Sequence, residues 1–310
     1  MDTPTWITMA SSSFLADLRR RLDPILPARM RADAAIVPVV RLSGAIGMSR
    51  PFNPGLTFAG ISRSLDRAFA VKGAKAVALV INSPGGSPVQ SHLIYRRIRL
   101  LAEEKKIPVI AFVEDVAASG GYMLACAADE IVADPFSILG SIGVVSAGFG
   151  FDRVLDKLGI ERRVYTAGAR KVMLDPFQPE KAEDVERLKA IQQDVHVAFT
   201  GLVRQRRGDV LNGDDETLFS GEFWAAPQAQ ELGLVDSIGD LRSFLKARYG
   251  DKVLTPLIEA RGGFLSRRVP GLSHSALDGP EAGLGSAGAG FAETLLARAE
   301  ERSLWQRYGL

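Results

Sequence analysis

Two short stretches hold residues able to do chemistry. Val113 to Asp129, VEDVAASGGYMLACAAD, passes from an apolar run through the small-residue turn Ala117-Ala118-Ser119-Gly120-Gly121 into a helical pattern. A serine at that point stands at a helix start, where the first N–H groups have no intrahelical partner. The second stretch, Asn82-Ser83-Pro84-Gly85-Gly86-Ser87, closes another apolar run. Its glycines let backbone N–H groups point outward, as a developing oxyanion requires. Each has an ordinary reading by itself, the first as an N-cap and the second as a tight turn. Placed at the ends of successive buried strands, they set a nucleophile, Ser119, beside an oxyanion hole formed by Gly85, Gly86 and Gly120. Open α/β sheets bind their ligands at such strand ends.

A serine hydroxyl needs a base. The histidines are His92, His196 and His274. His92 lies several residues beyond the Gly-Gly turn, and His196 sits in a long apolar-striped helix as a surface or interface residue. A Ser-His-Asp order is hard to build from these. Lysine is the other option, because burial favours its neutral, basic form. Lys171 follows YTAGAR and precedes VMLDPF, in a loop between a strand pattern and the long helix. Taken alone, a loop lysine is a solvated charge.

The elements that must position these groups can be read from Ala34 onward. AAIVPVVRLSG and AKAVALVINS read as strands, as does IPVIAFVEDVA, and the last two are nearly all apolar, the pattern of strands buried on both faces. Helical spacing places Phe58, Ile61, Leu65 and Phe69 on one face, and Leu93, Ile94, Ile98 and Leu101 on another. Strands and helices alternate through short connections, which implies a mostly parallel sheet with right-handed crossovers. Further on come DEIVADP, the glycine-rich ILGSIGVV, a short helix DRVLDKLG, a polar strand ERRVYTAG and a long helix from about Pro179 to Arg207. FSGEFWAAPQAQELGLVDSIGDL ends the compact domain near residue 250.

The flanks differ in character. Residues 1–33 form an N-terminal amphipathic segment, in which Phe14, Leu15, Leu18, Leu22, Ile25 and Leu26 share a helical side opposite Arg19, Arg20 and Arg21. It suits either a membrane surface or docking on the protein's own core or a sister subunit, with Pro24 and Pro27 interrupting the helix. Residues 251–310 form a C-terminal extension. Within it, 275–290 is a Gly/Ala/Ser-rich linker, and the last residues resume a helix anchored by Phe291, Leu295, Leu296, Leu304 and Trp305.

Composition narrows the function further. Of 310 residues, 46% are hydrophobic, enough for a large core, and 38 basic against 36 acidic residues give a net charge of +2 with no basic stripe. Nucleic acid is not expected as a partner. The single cysteine, Cys126, lies in an apolar helical run and reads as a core residue. One cysteine excludes an intramolecular disulfide, and scattered histidines offer no metal spacing. No cofactor or metal is expected. No apolar run reaches the length of a membrane span, so the expected place is the cytoplasm, with peripheral contact at the inner face of the membrane through the N-terminal segment.

The set INSPGGS (81 to 87), ASGGYMLA (118 to 125), ILGSIGVV (138 to 145), YTAGARK (165 to 171) and AQELGLVDSIG (229 to 239) resembles the signal peptide peptidase A family of serine peptidases, relatives in fold of the caseinolytic protease ClpP and the crotonases. The resemblance spans roughly residues 35 to 250 and implies a ClpP/crotonase-like α/β fold. It also implies a Ser-Lys dyad of Ser119 as nucleophile and Lys171 as general base, with Ser141 hydrogen-bonding the lysine amine. Gly85, Gly86 and the Gly120 N–H match the family's oxyanion hole. Apolar peptides such as signal-peptide remnants are the implied substrates, and a homo-oligomer the implied assembly. The segment Val172-Met173-Leu174-Asp175 departs from the small polar stretch usual after the lysine. Two other readings stay open: a crotonase-like enzyme acting on a CoA thioester with Glu114 or Asp115 as acid or base, and an inactive membrane-associated scaffold.

Overall fold

The computed structural model describes residues 34–48, 55–168, 170–259, 299 and 301–310. The N-terminal amphipathic segment, the linker at 275–290, His274 and the anchors Phe291, Leu295 and Leu296 lie outside the described residues.

Three apolar runs form the centre of a sheet. β1 (Val39–Ser43), β2 (Val77–Ser83) and β3 (Val109–Ala118) are parallel neighbours, followed by β4 (Glu130–Ala133). The connections are α1 (Phe58–Phe69), α2 (Pro88–Lys105) and the short α3 (Gly120–Ala125). Alternate residues of β2 and β3 explain the continuous apolar sequence. Leu79, Ile81, Ala111 and Val113 face a core with Leu65, Ile94, Ile98 and Tyr122, while Ala78, Val80, Ile110 and Phe112 face a second core closed by Leu245. Both faces are dry, and each fully buried aliphatic chain contributes roughly 1.5–3 kcal/mol.

β3 has ten residues and serves two partners in succession. Ile110 to Val113 pairs with β4, and Val116 to Ala118 pairs with β5 (Ile138–Gly140). Between these halves the register against β2 jumps, from Ile81↔Val113 to Ser83↔Ala117. The irregularity bends β3, and the Ser137 hydroxyl braces the bend by donating to the Val113 and Glu114 carbonyls. The second half of β3 thus leaves β4 and carries Ser119 onto the β5 side.

The remaining elements are α4 (Asp152–Leu158), α5 (Ala182–Arg207), α6 (Asp215–Leu218), β6 (Phe223–Ala225), α7 (Ala226–Glu231), β7 (Ser237–Ile238) and α8 (Leu241–Tyr249). β6 runs antiparallel to β5, and β7 extends the sheet beside β4. The mostly parallel α/β sheet is the one expected. The end of the compact unit is not: Val37 N–H donates to the Leu254 carbonyl, Val39 N–H to that of Pro256, and Ile258 N–H to that of Val39. The packed domain therefore reaches residue 258, because this segment pairs with the otherwise open edge of β1. The expected strand ERRVYTAG is also absent. Residues 160–166 have no regular structure and pair with no strand among the described residues, and Val164 and Tyr165 face solvent.

Candidate active site

Ser119 sits at the joint between β3 and α3 with φ 51° and ψ −121°. Side chains rarely occupy that region, which glycine favours, so the turn is strained. The neighbours hold it in place. Ser119 N–H donates to the Gly140 carbonyl at 2.8 Å, and the Ser119 carbonyl accepts from Met123 N–H at 3.1 Å. The side chain makes no capping hydrogen bond, so the N-cap explanation for this serine fails.

Both glycines after it answer to close packing. A Cβ on Gly120 would lie 2.4 Å from Ser91 Oγ on α2, and one on Gly121 would lie 2.4 Å from the Ser83 carbonyl on β2. The far end of α3 is fixed by arginines. Arg206 donates to the Cys126 and Ala128 carbonyls, and Arg99 to that of Ala127, satisfying C-terminal acceptors that the helix leaves open.

The Asn82-to-Ser87 turn stands against this joint. Gly85 has φ 99°, and a Cβ there would fall 2.9 Å from both Ser119 Cβ and the Ala118 carbonyl and 3.0 Å from Gly120 N. Gly85 and Gly120 therefore both lie directly beside Ser119. Gly86 bridges Ile46, where a Cβ would meet the Ile46 carbonyl at 2.2 Å.

Ser141 follows β5 as Ser119 follows β3. The register Ala118↔Gly140 sets the two serines next to one another, and Ser141 too has a left-handed φ, of 50°. Its N–H donates to the Glu222 carbonyl at 2.6 Å, and its side chain is buried. Its hydroxyl is engaged by an unexpected group, accepting a hydrogen bond from Tyr308 Oη at 3.2 Å.

A cavity of about 350 Å³ opens at Ser119, walled by Ile46, Pro84, Met123, Val145, Val195 and Phe199 with Leu304 and Arg307. Among its described lining residues Arg307 is the one ionisable side chain, and no base reaches Ser119 from within it. Lys171 is exposed in the turn at 170–174 and is not part of this wall. It belongs to an arm, residues 144–181, that folds on itself through Phe149, Phe151 and Phe177, with Arg162 paired to Asp175 and lying over the Phe177 ring. None of α4 is buried. The structure thus joins Ser119, Gly85, Gly86, Gly120 and Ser141, and leaves Lys171 outside.

The other candidates resolve simply. His196 contacts the Ile142 carbonyl at 3.2 Å, and His92 lies exposed beside Tyr95. Glu114 is held in a two-pronged pair by Arg41, and Asp115 accepts from Asn82. Both carboxylates line a separate cleft and not the Ser119 cavity. Cys126 is fully buried, and burial pushes its thiol up to about 12. No group of metal-ligating side chains occurs among the described residues. The sequence reading missed Arg307 and Tyr308, although Leu304 and Trp305 had marked the same segment as apolar.

A family model described as Peptidase family S49 matches residues 102–252. Over 292 residues, 93% of the chain, the sequence is 55% identical to a Brucella abortus protein named Na(+)/H(+) antiporter NhaA, of which the match covers 39%. It is 37% identical over 171 residues to the chloroplastic serine protease SPPA of Arabidopsis thaliana, covering 54% of this chain and 24% of that one. A putative protease of Synechocystis, slr0021, is 34% identical over 190 residues, with 59% and 68% covered. The chain spans 39% of the antiporter-named protein and 24% of the chloroplast one, so these names describe much longer chains. Among the described residues no helix is long and apolar enough to cross a membrane.

Proposed function

The chain belongs to peptidase family S49, and on that premise we propose that it is a serine endopeptidase with Ser119 as nucleophile and Lys171 as general base. The observation that carries the reading is the uncapped, strained Ser119 set directly against Gly85. A hydroxyl in that position attacks a carbonyl in the cavity, and the N–H groups of Gly85, Gly86 and Gly120 are the donors for the tetrahedral oxyanion. Neutral Lys171 takes the serine proton and returns it to the leaving amine, and water then releases the acyl group.

Lys171 must be brought to Ser119. The arm that holds it exposes Phe149, Leu158, Ile160 and Tyr165, between 53% and 90% accessible, which is an uncommon cost for a surface that stays in water. We read the arm as an interface between copies of this chain, one copy supplying the lysine to the serine of the next. The apolar cavity wall favours aliphatic or small substrate side chains, as in apolar peptide segments.

Complementation tests both parts. Ser119→Ala and Lys171→Ala should each be inactive on apolar peptides, and mixing them after dissociation should restore part of the turnover through mixed pairs. Two inactive variants that stay inactive when mixed, with the oligomer intact, would place the lysine in the same chain. An active Lys171→Ala protein would end the dyad reading.

A further inference from the structure

Tyr308 is 6% exposed and Ser141 4%, and they meet through the Tyr308 hydroxyl. The tyrosine packs on Val116 and Ala118, at the end of strand β3 just before Ser119, with Ile138 and Trp305 beside it. Phe223 stands edge-on to its ring at 5.0 Å. One face of the same segment, Leu304 and Arg307, forms part of the wall around Ser119. These are two separate contacts with the site, one on the nucleophile's cavity and one on the serine beside it.

We propose that residues 301–310 are a self-docked strap that closes the site by occupying Ser141, and that they must leave before Lys171 can reach the nucleophile. The proposal rests on the Ser-Lys reading, in which Ser141 holds the lysine amine. Ser141 is 4% exposed with the Tyr308 hydroxyl set against it, so a lysine amine reaches the Ser141 hydroxyl only once the tyrosine has moved away. Trp305 and Tyr308 are the rings by which the strap meets β3 and β5, so an apolar peptide or surface that binds these rings better than the β3–β5 ridge would release it.

Three proteins test this beside the wild type: Tyr308→Phe, the double variant Trp305→Ala/Tyr308→Ala, and a chain ending at residue 298. Two readouts are taken, hydrolysis of an apolar fluorogenic peptide and hydrogen exchange of segments 138–145 and 301–310, with Ser119→Ala as the blank. The double variant and the shortened chain should turn over about tenfold faster, the factor expected when a docked state near nine-tenths occupied is removed. Tyr308→Phe, losing only the hydroxyl, should give a smaller rise. Exchange at 138–145 should quicken in step.

Ser119-dependent turnover that is unchanged or lower in the double variant would overturn the strap, as would unprotected exchange at 301–310 in the wild type. If no protein cleaves the peptide while 301–310 is protected, the peptidase reading itself has failed. The guarding role falls with it, and the segment is a structural dock.

Discussion

Ser119 and Ser141 occupy matching places, each one residue beyond a strand of the same parallel pair, each with φ near +50°, and joined where Ser119 N–H donates to the carbonyl of Gly140. Two strained serines at adjacent strand ends mean that the β3–β5 pairing, and not local turn propensity, fixes the site.

The strain gives a stability signature. At φ 51° and ψ −121° glycine is relaxed and any side chain is not. Ser119→Gly should be inactive yet about 1 kcal/mol more stable than Ser119→Ala, a difference read from urea midpoints. Equal midpoints would mean the turn relaxes once the hydroxyl is gone.

Gly85→Ala should damage function more than fold. Its Cβ would press on Ser119 Cβ and the Ala118 carbonyl at 2.9 Å and force a side chain into φ 99°. Turnover should fall on the order of a hundredfold, the cost of spoiling an oxyanion donor, with far-ultraviolet circular dichroism unchanged. Wild-type kinetics would remove Gly85 from the site.

Cys126 supplies a pH test of the core. Burial raises its thiol from 9.0 to about 12, so the folded state disfavours the thiolate. The sign follows: this contribution to stability is complete below pH 9 and is lost as pH rises from 9 towards 12. A thiol reagent at pH 8 should label the native protein far more slowly than the unfolded one, and fast native labelling would contradict the buried α3.

Arg207 ties the end of α5 to the loop before β7. It donates to the Gly233 carbonyl twice and to Asp236 at 2.9 Å, and Asp236 also accepts from Ile131 N–H on β4. Arg207→Met would leave Asp236, 28% exposed, without its cation, at an expected cost on the order of 2–3 kcal/mol. Thermal unfolding measures it, with Asp236→Asn alongside to separate the charge from the hydrogen bonds.

Much of the site was legible in the residues. The apolar runs of β2 and β3 end at the two glycine turns, and a parallel sheet must bring neighbouring strand ends together, so Gly85 beside Ser119 follows from pattern and topology. The strand read at ERRVYTAG failed because alternation describes a side-chain pattern and says nothing of whether a strand edge is there to pair with it. The boundary near residue 250 failed for a related reason, since the bonds at 254–258 go to residues 35–39, at the other end of the domain sequence.

What the sequence determined by itself was therefore local and periodic: which runs are buried, where they turn, and which small residues let the turns approach each other. Tertiary structure alone decided the rest. It set Ser141 beside Ser119 through the split pairing of β3, put Lys171 on an exposed arm, and laid Tyr308 on Ser141 across a separation of 167 residues. Such contacts depend on the relative placement of whole elements, which no spacing along the chain encodes.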